Sequence, residues 1–143
     1  MIDAKRYLQQ IKDADDDIED LLDERAQLKA RLTKVTSTLS DVSVSGTKNN
    51  DKMGDAIAKL IIVEDVLNCK IDKLIDLKKE VCAVIDKVSN ENQRKVLKKR
   101  YVLFKRWEQI ACEMYMTYRN VCYIHGRALQ AVQRILEDGD GDA

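Results

Sequence analysis

The residues able to do chemistry are few. Four cysteines, Cys69, Cys82, Cys112 and Cys122, and one histidine, His125, are the soft ligands and nucleophiles. No two cysteines stand at the C-x-x-C spacing of a zinc site, and one imidazole cannot supply a second ligand type. Buried, reduced thiols are the expectation. Asp13, Asp16, Asp17, Asp20, Asp23 and Glu24 crowd one stretch, mostly off the apolar seam of a helix, and read as its solvated face. Gly46-Thr47-Lys48 has the wrong order for a phosphate-binding loop and lacks its spaced first glycine. The Asp-Gly alternation of residues 138–142 lacks the frame and terminal Glu of a calcium loop. No nucleophile–base pair is in sight. The expectation is no enzyme, no metal and no cofactor.

What remains is cationic chemistry. The 143 residues carry 25 basic and 25 acidic side chains, but unevenly. Between Asn92 and Arg134 ten basic residues face only Glu108 and Glu113, a net charge of +8. The end, with Glu137, Asp138, Asp140 and Asp142, carries −4, and so do the first 91 residues. A cationic module on an acidic body is the footprint of a nucleic-acid binder. Lys98, Lys99, Lys105 and Arg106 are placed to hold phosphates, which fix position without reading sequence.

These side chains need elements to position them. There is no Pro and only 5 Gly in a chain that is 35% charged and 5% aromatic. That composition favours long helices. Trp107, Ile110, Ala111 and Met114 form one face of a short helix. Thr117 is placed to cap the next one. In that helix Val121, Ile124, Ala128, Val132 and Ile135 make an inward stripe. Arg119, Cys122, Tyr123 and Gly126 fall on another face, free to meet something outside. A short helix, a turn and a longer helix with a free N-terminal face is the plan of a helix-turn-helix. Asn90 with Gln93 suggests a capping box before it. Val96, Leu97 and Tyr101 then point inward, and Lys95, Lys98 and Lys99 outward. Trp107 and a half-buried His125 are assigned to the core.

The run Glu108-Gln109-Ile110-Ala111, then Met114, Met116-Thr117, Val121, Ile124 and Ala128-Leu129, resembles region four of the sigma-70 family. Upstream, Val96-Leu97 and Arg100-Tyr101 are similar to its "V-L-x-L-R-Y" helix. The likeness covers Asn92–Leu136. It implies that Tyr118, Arg119, Cys122 and Tyr123 occupy the base-reading positions. Only Arg119 keeps the charge usual there, which argues against the usual promoter sequence. Arg119 can reach guanine bidentately, and Tyr123 a base edge or phosphate. Thr117 and Arg127 complete the candidate DNA-contacting set. Tyr115 stands where such turns often carry glycine. The combination looks like small phage- or prophage-encoded regulators with a sigma-like C-terminus. Duplex DNA is the implied partner, with RNA polymerase as a second. The alternative is an interaction module that binds the polymerase, a sigma factor or another protein without touching DNA.

The first 88 residues read as an antiparallel helical hairpin. Ala4, Tyr7, Ile11, Ala14, Ile18, Leu21, Arg25, Leu28, Leu32, Val35 and Leu39 repeat at threes and fours, a heptad seam. Ser40–Asn50 reads as a flexible loop, with a weak strand alternation in Ser40–Ser45. Asp51 is placed to cap the second arm. Its seam is Met53, Ile57, Leu60, Glu64, Leu67, Ile71, Leu74, Lys78, Val81, Ile85 and Val88. Ile61, Ile75 and Cys82 add a column, and a homodimer would hide it. Domains of 1–88 and 89–136 follow, with an acidic disordered tail at 137–143. The first residues, Met1–Arg6, lack the apolar core of a signal peptide, and no run is long enough to span a membrane. A reducing cytoplasm is the expected compartment.

Overall fold

The protein is all-α. The computed structural model describes residues 3–41 and 46–141, with side chains at 3–34 and 51–139. Among the described residues there is no strand. There are five α-helices: α1 (Ala4–Asp41), α2 (Gly46–Asp86), α3 (Glu91–Leu97), α4 (Trp107–Glu113) and α5 (Tyr118–Gly141). A π-helical turn, Lys98–Val102, extends α3. No helix of the described residues is long and apolar enough to cross a membrane.

The chain divides into two compact units. One joins Met1–Ala14 to Leu74–Ala143, and the other is Asp15–Lys73. The foot of the expected hairpin thus belongs with the C-terminal helices, a division other than 1–88 and 89–136. The reason is visible in the packing. In the first unit Ala4, Tyr7, Leu8 and Ile11 of α1 are buried along with Val81, Ile85 and Val88. The Ala4 backbone N–H donates to Gln133 Oε1 of α5 at 2.8 Å, and Tyr7 Oη donates to Glu80 at 3.4 Å.

In the unit Asp15–Lys73, α1 and α2 run antiparallel. Lys29 pairs with Glu64 at 4.0 Å and Lys70 with Asp17 at 3.8 Å, so numbers fall along α1 as they rise along α2. Ile18, Leu28, Val63 and Leu67 are buried there. The seam of α1 follows the heptad reading. The seam of α2 is turned: Val63 is buried, while Ile57 and Ile71, expected inside, are exposed. Heptad spacing in α2 fits more than one stripe, and the stripe used is the one α1 reaches.

Several local expectations are corrected. Helix α1 runs through Asp41 and α2 begins at Gly46, so the loop expected over residues 40–50 is helical at both ends. Residues 42–45 lie outside the described residues, and Ser40–Asp41 are helical rather than extended. Asp51 therefore sits inside α2 rather than at its cap. Helix α5 continues through Glu137–Gly141, where an acidic tail was expected to fray. The run from Glu91 to Tyr101 is not uniformly α-helical. It widens into the π turn, with Leu103 N–H donating to Lys98 O at 3.0 Å. A bond of i→i+5 type leaves no mark in hydrophobic spacing.

Candidate nucleic-acid interface

The site is built from α3, α4 and α5. Asn90 caps α3, its Oδ1 accepting from Gln93 N–H at 3.0 Å. Val96 of α3, Ile110 and Ala111 of α4 and Val121 of α5 form one buried cluster. Trp107, Met114, Met116 and Ile124 pack against it. Farther along α5, Ala128 and Val132 are fully buried, continuing the inward stripe. With that stripe committed to the core, Arg119, Tyr123 and Gly126 are left exposed on the other side, with Cys122 half-buried.

The turn between α4 and α5 is closed by backbone bonds. Met116 N–H donates to Ala111 O at 3.0 Å and Tyr115 N–H to Cys112 O at 3.3 Å. Tyr115 adopts φ 55°. This is the Schellman pattern, with a tyrosine at the left-handed position that glycine usually fills. Thr117 Oγ1 then accepts from Asn120 N–H at 3.1 Å and caps α5, as expected of it. Tyr115 itself is 97% exposed. It packs on nothing, sits in a costly conformation and projects from the turn. Sequence reading marked it only as a departure from glycine, not as a contact residue. Tyr118 and Tyr123 are exposed on the same helix start.

The cations divide into those already engaged and those not. Lys98 Nζ lies 2.8 Å from Asp86 Oδ1. Lys99 and Lys105 both grip Glu113 Oε1, at 2.8 and 2.6 Å. The two ammonium hydrogen bonds, Lys105 first, pull the Glu113 carboxyl down to about 2. Lys98, Lys99 and Lys105 are three of the four residues expected to hold phosphates. Each has a carboxylate within reach, and only Glu113 was visible as an acidic residue of the cationic segment. Arg127 is also engaged: its Nε and Nη2 donate to Tyr123 Oη at 3.2 and 3.0 Å. Arg106, at the N-cap of α4, and Arg119, in the first turn of α5, have no side-chain hydrogen bond or ion pair among the described residues. Among the described residues they and Arg134, farther along α5, are the cations of the segment left available.

Behind this surface lies a polar–aromatic knot. Arg100 stacks on Trp107, 4.5 Å from the ring, and its Nη1 donates to Lys105 O at 3.0 Å. His125 meets Trp107 edge-on, with centroids 4.6 Å apart. Its Nε2 shares a 2.7 Å hydrogen bond with Tyr101 Oη. Burial, aided by Lys5 and Arg100, depresses the imidazole to about 4. His125 is half-buried, as expected, and neutral at physiological pH. Trp107 sits half-buried at the edge of the core rather than at its centre.

The remaining chemistry is sparse. Asp15, Asp16 and Glu19 bring carboxylate oxygens within 4.8 Å of one another on the outer side of α1. A solvated helix face accounts for such a group. The four cysteines are free, but Cys69 and Cys112 are exposed where burial was expected. Cys122, by charge and by hydrogen bond, pushes the Tyr118 phenol up.

Over residues 33–133, 101 of the 143, the chain matches the family described as Protein of unknown function (DUF1492). It belongs to that family. No curated protein and no solved structure matches it. The match begins in α1 and ends in α5, and spans α2, α3 and α4.

Proposed function

We propose that this DUF1492 protein is a DNA-binding transcriptional regulator. It would be of the phage- or prophage-encoded kind that the sigma-like resemblance implies, with α4 and α5 acting as a helix-turn-helix. One observation carries the reading. The capped turn Met114–Thr117 aims the first turns of α5 outward, with Arg119 unpaired on a face the core does not use. A helix presented in this way fits the major groove. Arg119 is the base reader and Arg106 the foremost phosphate contact. Lys99 and Lys105 contribute only insofar as Glu113 releases them. RNA polymerase is the second partner at a promoter.

The test is a salt titration of binding to the protein's own upstream DNA beside a scrambled duplex. Arg106→Ala should weaken both duplexes alike and lower the salt slope by about one unit. Arg119→Ala should cost about 1–3 kcal/mol on the preferred site and little on the scrambled one. No binding to either duplex at low salt would reject the reading.

A second reading has its own support. Tyr115, Tyr118 and Tyr123 are all exposed within one nine-residue stretch, and Leu103 is exposed as well. Tyrosine is enriched at protein interfaces. A module that docks on RNA polymerase or a sigma factor through these rings, without touching DNA, fits that surface. Capture of polymerase by a chain that binds no duplex would favour it.

A further inference from the structure

Helix α2 keeps an apolar column outside the seam it shares with α1. Ile57, Ile61, Ile71 and Ile75 are 41%, 55%, 36% and 47% exposed. With Glu64 and Asn68 between them, they step along α2 by 4, 3, 4, 3 and 4 residues. That is the spacing of a second heptad stripe, about a quarter-turn from the first. On α1, Glu19, Leu22, Ala26 and Lys29 form a column at steps of 3, 4 and 3. The Lys29–Glu64 ion pair joins the two columns and shows that they share one face.

Both columns are self-complementary when read backwards. In α2 the pairs Ile57 with Ile75, Ile61 with Ile71 and Glu64 with Asn68 are all centred on residue 66. In α1 the pairs Leu22 with Ala26 and Glu19 with Lys29 are centred on residue 24. The two centres coincide in height. The Lys29–Glu64 and Asp17–Lys70 pairs place residue 24 of α1 beside residues 66–67 of α2 in the same chain. A single two-fold axis therefore satisfies both helices at once, as an isologous interface requires.

We infer that this face binds a second copy of the chain, antiparallel, about an axis at the level of Glu24 and Val66. Ile61 of each copy packs on Ile71 of the other, and Ile57 on Ile75. Glu64 accepts from the partner's Asn68 amide. Lys29 of each copy meets the partner's Glu19. From Ile57 to Ile75 the face is about 27 Å long, and two helices make it about 20 Å wide. The roughly 500 Å² this projects on each copy reaches the ~1,000 Å² total of a specific interface. The inference is independent of DNA binding, because no residue of α3, α4 or α5 takes part.

Two measurements on the full chain decide it. Sedimentation should show a dimer at tens of micromolar. Ile61→Asp should weaken it at least about a hundredfold while helicity is unchanged, since each dimer would bury two uncompensated carboxylates. For register, the four native cysteines are replaced by serine, and Ile61→Cys and Ile71→Cys chains are oxidised separately and mixed. A covalent dimer should form in the mixture and not from either chain alone. A wild-type monomer at tens of micromolar, or cross-linking of Ile61→Cys chains to themselves, would overturn the inference. Loss of duplex binding with the dimer intact would count against the regulator and leave this pairing standing.

Discussion

Tyr115 shows most clearly what a single residue contributes. Its left-handed backbone costs a non-glycine residue about 1–2 kcal/mol, and its exposed ring recovers none of that in packing. Tyr115→Gly should therefore stabilise the protein by about 1 kcal/mol, read as a raised midpoint in urea. If the ring touches the partner, the same variant should bind less well while melting later. Strain without a folding benefit is common at functional positions. The sequence exposed the anomaly, a tyrosine at a glycine site, but not its exposure. His125 yields a pH prediction. Its folded value, about 4, lies below the usual imidazole value of 6.5. The unfolded chain therefore binds the extra proton first, and stability is full above about 6.5. It falls as pH drops through 6.5 towards 4, by about 2 kcal/mol after allowance for partial exposure. His125→Asn should flatten that part of the stability–pH curve, and an imidazole titrating near 6.5 in the folded protein would refute the assignment.

Helices differed in how far spacing alone could describe them. The seam of α1 was legible because its other faces are charged, leaving one apolar stripe to choose. Helix α2 has isoleucines and valines on several faces, so spacing named its helix but misplaced Ile57 and Ile71. The caps at Asn90 and Thr117 were readable because an oxygen three residues before a free N–H is a local arrangement. The π turn and the pairing of Lys99 and Lys105 with Glu113 were not, since both depend on how α3 and α4 meet. At this scale the hairpin predicts its own weak point. Leu67 is 2% exposed on the α1-facing side. Leu67→Asp should cost about 3–5 kcal/mol through a buried, unpaired charge. An unaltered melting point would show that this seam does not hold the arms together.

Across the whole molecule, a neutral total hides a body and a module of opposite charge. The cationic module is less available than its composition implies, because carboxylates already hold Lys98, Lys99 and Lys105. Under the regulator reading Glu113 stands where a phosphate would, and its removal should strengthen binding. Glu113→Gln should raise affinity for every duplex alike and steepen the salt slope by up to about two units, one for each lysine released. Unchanged slopes would mean that these lysines never reach the nucleic acid. The candidate site was thus legible in outline, as a helix face carrying Arg119. The division of its cations into held and free was a matter of tertiary distances.

Trp107 is the chain's one tryptophan, and its indole contacts both the Arg100 guanidinium and the His125 ring. The protein therefore carries its own optical label. Fluorescence excited at the indole band arises from the α4 start alone, whereas far-ultraviolet ellipticity is dominated by the 38 and 41 residues of α1 and α2. A denaturant titration followed in both channels reads two places in one sample. Coincident curves would mean that the long helices and the α3–α5 core melt as one. Separated curves would show which end lets go first, with no dye attached and no residue changed.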